Sequence, residues 1–386
     1  PPPQPDPVAA ILQFQAQLLE RGIELVLVPT PGKSCIYPQR FSRRYGGGRA
    51  PLHNSSYEQM LQELRTPQVF FEGRFSDYAE VMRNPQEAER YGDALAYLST
   101  MRKQLEAHPV RVLDVSGDVS DANGAAGTYL PTDTHWSPDG MERAAAGLAT
   151  FLRESGVLPA RPAVNYQTAT ASVQNDGDLV AMLRLRHPER MFAKQEVTIR
   201  PVRSADGSRA WQPDHDADVL LLGDSFSNIF SDPGLRWGEG AGLAERLSYH
   251  LKRPVDAIRR NDEGAYATRH SLLRECAGGR DRLAGKAVVV WQFAARELAG
   301  GDWKLLKVRP GAAVDTKTTL LEPEAGESLL ITGVVQAHSP IPVPGKAPYR
   351  DHIFWRFTGQ QFFAKSAGTQ GHHHLSQIAQ VILVRT

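Results

Sequence analysis

The feature that most limits how this chain can fold is a set of short, continuously apolar runs set between helical stretches. These are IELVLVP at residues 23–29, DADVLLLGD at 216–224 and KAVVVWQF at 286–293. A strand with one wet face alternates apolar and polar side chains. A run that is apolar at nearly every position needs cover on both faces, as in a parallel sheet sandwiched by helices. The intervening segments supply that cover. Residues 8–21, Tyr91 to Ala107, Met141 to Glu154, Leu243 to Leu251 and Ala265 to Cys276 carry apolar residues at helical spacing. VRVLDV at 110–115 and PVDAIRR at 254–260 read as two further strands. The alternation predicts an α/β fold, a mostly parallel sheet flanked by helices, over residues 1–303.

The pattern changes at Lys304. ESLLITGVVQAHS, DHIFWRF and QIAQVILVRT are β-rich, with Pro and Gly clustered between them in SPIPVPGKAPY. Residues 304–386 are therefore expected to form a small β-barrel or β-sandwich, OB-like or carbohydrate-binding in kind.

The charges are balanced, 44 Lys and Arg against 43 Asp and Glu, which gives no reason to expect a nucleic-acid partner. Two cysteines, Cys35 and Cys276, are too few for a disulfide framework, and they read equally as a pair or as two buried thiols. No run of 18 apolar residues is present to span a membrane. The chain opens at Pro1 without Met, which reads as though a leader or anchor had been removed upstream.

The sharpest chemical signal is LLLGDSFSN, residues 220–228. A buried strand ends at Gly223 and Ser225 follows within a tight turn. Ligands of open α/β sheets bind at the carboxyl ends of strands. A serine there is exposed, and its own N–H can face a developing oxyanion. The structural alternative is a helix start, with Asp224 or Ser225 as N-cap.

The second signal is TDTHWSPDG, residues 132–140. Asp133 and His135 are two apart, which in an extended segment puts both on one side. The carboxylate can then fix the imidazole tautomer and leave the other ring nitrogen free as a base. Ser137 and Pro138 make a good N-cap and first helical residue, so the pair sits in a loop before a helix. The alternatives are a capping turn or half of a metal site. A serine nucleophile needs a base, and the base needs an orienting group, so the two signals together form a candidate triad.

GDSFSN resembles the nucleophile block of SGNH/GDSL hydrolases. The chain order Asp, His, Ser and the Asp-x-His spacing depart from the usual arrangement of that family. The permuted pattern is similar to the alginate O-acetyltransferases of the AlgJ and AlgX kind. RGIELVLVPTPGKSCIYP, the GDL of Gly177 to Leu179 and WQFAAREL add to the likeness, which covers residues 8–303. The resemblance implies Ser225 as nucleophile, His135 as base and Asp133 as its orienter, acting through an acetyl-enzyme in a polysaccharide O-acetyltransferase. It implies a polysaccharide acceptor and an acetyl donor that a membrane O-acyltransferase could relay. It also implies a periplasmic or otherwise extracytoplasmic location. Two rival functions share the sequence: a carbohydrate acetylesterase with water as acceptor, and a non-catalytic polysaccharide-binding subunit.

Other candidates are weaker. Asn261 or Asn228 could donate to an oxyanion, or be turn residues. Arg296, after the strand KAVVVWQF, could meet a sugar carboxylate or pair with Glu297. Trp136 could stack on a sugar or pack in the core. No Cys/His spacing suggests zinc, so neither metal nor cofactor is expected. His372 to His374, the sequon Asn54-Ser55-Ser56 and the glycines 46–48 read as loop features.

Overall fold

The computed structural model describes residues 6–45, 51–54, 56–120, 127–262, 264–306, 352–357 and 360–365, the last two segments by their backbone. The chain divides into two compact units, Pro1–Ala312 and Ala313–Thr386.

The first unit is built on a five-stranded sheet. Its strands, in spatial order, are Arg111–Val112, Glu24–Thr30, Val288–Ala294, Val219–Gly223 and Asp256–Arg259, and every neighbouring pair is parallel. The apolar runs of the sequence are its three central strands. Their side chains alternate between two cores. Leu25, Leu27, Leu220, Leu222, Val289 and Trp291 enter one; Val26, Val28, Val219, Leu221, Val288 and Val290 enter the other. Helices Pro7–Leu19, Pro85–Ala107 and Gly264–Ala277 cover the first face, and helices Pro138–Glu154 and Leu243–Leu251 the second. Burial on both faces is why these strands carry no polar alternation.

One element differs from its sequence expectation, and two regions carried none. VRVLDV yields only the two-residue, half-buried edge strand Arg111–Val112. Residues 57–81 fold into three helices, Tyr57–Arg65, Pro67–Glu72 and Arg74–Val81. Residues 167–203 form two small antiparallel ribbons outside the main sheet, Ala171–Asn175 with Gln195–Ile199 and Gln167–Thr168 with Val202–Arg203. Their mixed, largely exposed side chains give no strong pattern to read.

In the second unit the described residues form an antiparallel ribbon, His352–Phe357 against Gln360–Lys365. The rest of the expected β-rich domain, including His372 to His374, lies outside the described residues, as do Ser55 and glycines 46–48. Cys35 and Cys276 are both unpaired. No helix among the described residues is long and apolar enough to cross a membrane.

Candidate active site

The loop between Thr128 and Ser137 is pinned at its base. Leu130 N donates to His135 O (3.1 Å), and Ser137 N to Thr128 O (2.9 Å). Ser137 then caps the helix Pro138–Glu154, its Oγ accepting from Gly140 N. The pair lies in a loop before the helix, as expected, but the segment at the tip is bent rather than extended. Asp133 Oδ1 accepts from both His135 N (3.1 Å) and His135 Nδ1 (2.6 Å). The pairing therefore comes from an Asx turn, which folds the carboxylate back over the next two residues. The Lys33 ammonium donates to the carbonyls of Leu130, Pro131 and Asp133 and braces the tip from outside.

The turn that carries Ser225 rests on the sheet. Asp224, not Ser225, caps the short helix Ser225–Asn228, accepting from Phe226 N at 2.9 Å. Gln292 lies below it, fully buried in the central strand. Its Nε2 donates to Thr30 Oγ1 (3.0 Å) and Asp224 Oδ1 (2.9 Å), and its Oε1 accepts from Asp224 N (3.2 Å) and Ser227 Oγ (2.6 Å). All four hydrogen-bonding valences of that amide are used. Gly223 is required by space: a Cβ there would lie 2.3 Å from Ser227 Oγ.

These two segments bring the predicted triad together. His135 Nε2 is 2.9 Å from Ser225 Oγ. The far carboxylate oxygen, Asp133 Oδ2, accepts from Trp237 Nε1 (2.9 Å) and Asp178 N (3.0 Å). Burial alone would raise the Asp133 carboxyl. The hydrogen bond and charge of His135, with the Trp237 donor, outweigh it and hold the carboxyl well below the usual range. Asp133 therefore stays ionised and acts only as an acceptor. Asp178 turns back on the loop, accepting from Thr134 N (2.7 Å) and from Thr134 Oγ1. Asp133, His135 and Asp178 are close enough together to hold an ion, yet their acceptor atoms are already engaged by these protein donors.

The remaining candidates separate cleanly. Asn261 and Arg296 line, with Ser225, a cavity of about 460 Å³ that also includes Tyr266, Glu297, Asp302 and Lys304. Asn228 Nδ2 donates to Asn261 Oδ1, and Asn261 Nδ2 donates to Asp232 Oδ2, so the second Asn261 N–H meets no acceptor among the described residues. Arg296 is largely exposed, its Nε 3.8 Å from Glu297 Oε1. Trp136 is not available to a sugar. It is fully buried, its ring packs edge-on against Phe226, and its Nε1 donates to Phe226 O at 3.0 Å. The residue after the histidine thus locks onto the residue after the serine, and the His135 ring lies against Phe226 as well.

Four site residues received no role from the sequence, Trp237, Asp178, Gln292 and Lys33, although the last three lie in segments that carry the resemblance. Gln292 left a trace, a lone amide in an apolar run. Gly177 left another. Its φ is +83°, and a Cβ would lie 2.2 Å from Thr132 O, so the turn that delivers Asp178 N to Asp133 needs glycine. The sequence around Trp237 carries no such mark.

Residues 74–295, which contain all three triad positions, match the family described as SGNH hydrolase-like domain, acetyltransferase AlgX. The probable alginate O-acetylase AlgJ of Pseudomonas aeruginosa is 28% identical over 303 residues, covering 75% of this chain and 63% of that protein. The Azotobacter vinelandii protein of the same name is 24% identical over 253 residues, 64% of this chain and 52% of its own. The chain thus spans less than two thirds of the length of these relatives. The O-acetyltransferase domain of Pseudomonas putida AlgJ superposes with a TM-score of 0.49 at 21% identity, over 76% of this chain and 83% of that one.

Proposed function

The chain belongs to the SGNH hydrolase-like acetyltransferase family represented by AlgX, and from that premise we propose that it is a polysaccharide O-acetyltransferase working through an acetyl-Ser225 intermediate. The observation that carries the reading is the unbroken series of contacts, 2.9 Å from Ser225 Oγ to His135 Nε2 and 2.6 Å from His135 Nδ1 to Asp133 Oδ1.

In this reading Ser225 Oγ attacks the carbonyl carbon of an acetyl donor as His135 Nε2 takes its proton. Asp133 holds the tautomer and stabilises the imidazolium that forms. The tetrahedral oxyanion meets the Ser225 N–H and the second side-chain N–H of Asn261, neither of which a described acceptor takes. Each such donor is worth about 3 kcal/mol in the transition state. Collapse expels the leaving group with the proton from His135. A sugar hydroxyl then gives its proton to His135 as its oxygen attacks the acetyl carbon, and collapse breaks the bond to Ser225 Oγ, which takes the proton back from His135.

The open cavity beside Ser225, with Arg296 and Lys304 on its wall, supports a polymeric acceptor. The proposal assigns catalysis to residues 1–303 and puts the protein outside the cytoplasm, where an exported polymer is met. A donor relayed by a membrane O-acyltransferase is supported by the sequence resemblance.

The test is incubation with a small acetyl ester and oligosaccharides, read by mass spectrometry. Acetylated sugar and a Ser225-linked acetyl group are expected, both lost in Ser225→Ala with an unchanged melting temperature. Free acetate without acetylated sugar would make the protein an esterase. Turnover unaffected by Ser225→Ala would end the proposal.

A further inference from the structure

One stretch of surface away from the triad does not look like an ordinary solvated face. Among the described residues the exposed large apolar side chains are Phe41, Val69, Met182, Leu183, Leu185 and Met191. The last four fall within ten residues, with Met182 and Met191 exposed by 66% and 71%. Residues 181–187 are exposed without a break, so this run projects from the body instead of lying against it. Arg184, Arg186, Arg190 and Lys194 are interleaved with these side chains and are exposed as well. None of the four is ion-paired with a described carboxylate. The only acid in the run, Glu189, lies beside His187.

The run is anchored at both ends. It leaves the helix Asp178–Met182, turns at Arg184 with φ +48°, passes the 3₁₀ turn Pro188–Arg190 and returns as the strand Gln195–Ile199. Leu179 N donates to Thr132 O, and Asp178 N to Asp133 Oδ2, so its root is part of the catalytic loop's support.

We propose that residues 182–194 form a docking lobe that seats the protein on an anionic lipid surface. Unpaired cations around apolar tips match the bilayer interface. There, aliphatic and thioether groups enter the acyl boundary while guanidinium heads stay at the phosphates. An anionic polysaccharide would satisfy the cations and leave the apolar tips in water. A rigid protein partner would need a cleft shaped to this projecting run, whereas a fluid surface needs none. The inference rests on this surface and not on the chemistry proposed for Ser225.

The experiment is sedimentation of the full chain with vesicles of phosphatidylcholine alone and with an equal part of phosphatidylglycerol, at low and high salt. Binding to the mixed vesicles only, reversed by salt, is expected. Each cation near an anionic leaflet raises partitioning about fivefold (1 kcal/mol). Arg184→Gln, Arg186→Gln and Arg190→Gln together should therefore weaken binding roughly a hundredfold. Met182→Ser, Leu183→Ser and Met191→Ser together should also abolish stable binding. Both triple variants change exposed residues, so melting temperature and ester turnover without vesicles should not move. Failure to bind the mixed vesicles, equal binding to the neutral ones, or binding that survives both variants would overturn the proposal.

Discussion

Replacing Asp133 by Asn tests the candidate site most sharply, because the structure predicts which way the new amide must face. Oδ1 accepts from His135 N and His135 Nδ1, at 3.1 and 2.6 Å, and Oδ2 from Trp237 Nε1 and Asp178 N, at 2.9 and 3.0 Å. An amide has one oxygen, so it can serve one of these pairs and must turn its NH₂ to the other. With the oxygen toward His135, two buried donors are stranded, each costing about 1–3 kcal/mol. With the oxygen toward Trp237 and Asp178, only the His135 N–H is stranded, and His135 Nδ1 becomes an acceptor by moving its proton to Nε2. That tautomer aims a proton at Ser225 Oγ and cannot act as base. The unproductive orientation is favoured by one stranded donor, about 1–3 kcal/mol. The charge that stabilises the imidazolium is lost as well. The expected fall in kcat is about 10⁴-fold, the size found for the equivalent change in a serine-protease triad. The assay is kcat/KM on a small acetyl ester, for Asp133→Asn alone and combined with Trp237→Phe. Trp237→Phe on its own should slow turnover. In the Asp133→Asn background it removes one stranded donor from the productive orientation and should restore about tenfold, a non-additivity of opposite sign. A double variant no faster than Asp133→Asn would refute the orientation argument, and an undiminished Asp133→Asn would refute the triad.

Gly177→Ala should lower the melting temperature and reduce turnover together, since a Cβ at φ +83° meets Thr132 O at 2.2 Å. The cost is roughly 1–3 kcal/mol. Gly156→Ala, at φ +70° with open space around it, should lose stability alone. Acid stability should depend on Glu142, which joins two helices through Arg246 and His250. Burial works against its carboxylate, but His250 and Arg246 outweigh that and bring it down to about 2, from an ordinary 4.5. The unfolded chain therefore binds more protons in that window. The contribution, ~1 kcal/mol after solvent screening, is complete above pH 4.5 and drains away as pH falls toward 2. Denaturant titrations across that window should show a shallower slope for Glu142→Gln, and an equal slope would remove Glu142 as the cause. Lys33→Met should slow turnover with little change in melting temperature, by releasing three carbonyls of the catalytic loop; unchanged turnover would show that the loop needs no brace.

Much of the sheet was legible because its signal is local. Val288–Ala294 and Val219–Gly223 are apolar on both faces, and a run of five to seven such residues has few other places to go. The candidate triad was legible for a related reason. Asp133 and His135 are two apart, and Ser225 follows a strand end, so each half of the site is written within a few residues. The edge strand Arg111–Val112 and the ribbons between residues 167 and 203 were not, since half-exposed positions place little constraint on residue type.

The supports of the site follow the opposite rule, and this decides which of them a single sequence can reveal. Trp237 reaches Asp133 across 104 positions, Lys33 reaches the same loop across about 100, and Gln292 reaches Asp224 across 68. No periodicity or spacing encodes contacts of that range. What a sequence can carry is the local rule that such a contact breaks. Gln292 is an amide in a strand that should be all apolar, and an unpaired buried amide is costly enough that its presence implies partners. Trp237 breaks no rule, because a buried indole is an ordinary core residue whose N–H can be satisfied anywhere. Trp136 falls between the two, and of its two alternatives, a sugar or the core, it takes the core. Standing next to the histidine invites a role with substrate, yet the same adjacency puts its ring against Phe226 and its Nε1 on the Phe226 carbonyl, tying the segment of His135 to that of Ser225. A residue beside a candidate catalytic group in sequence here holds two chain segments together and is itself buried out of a ligand's reach.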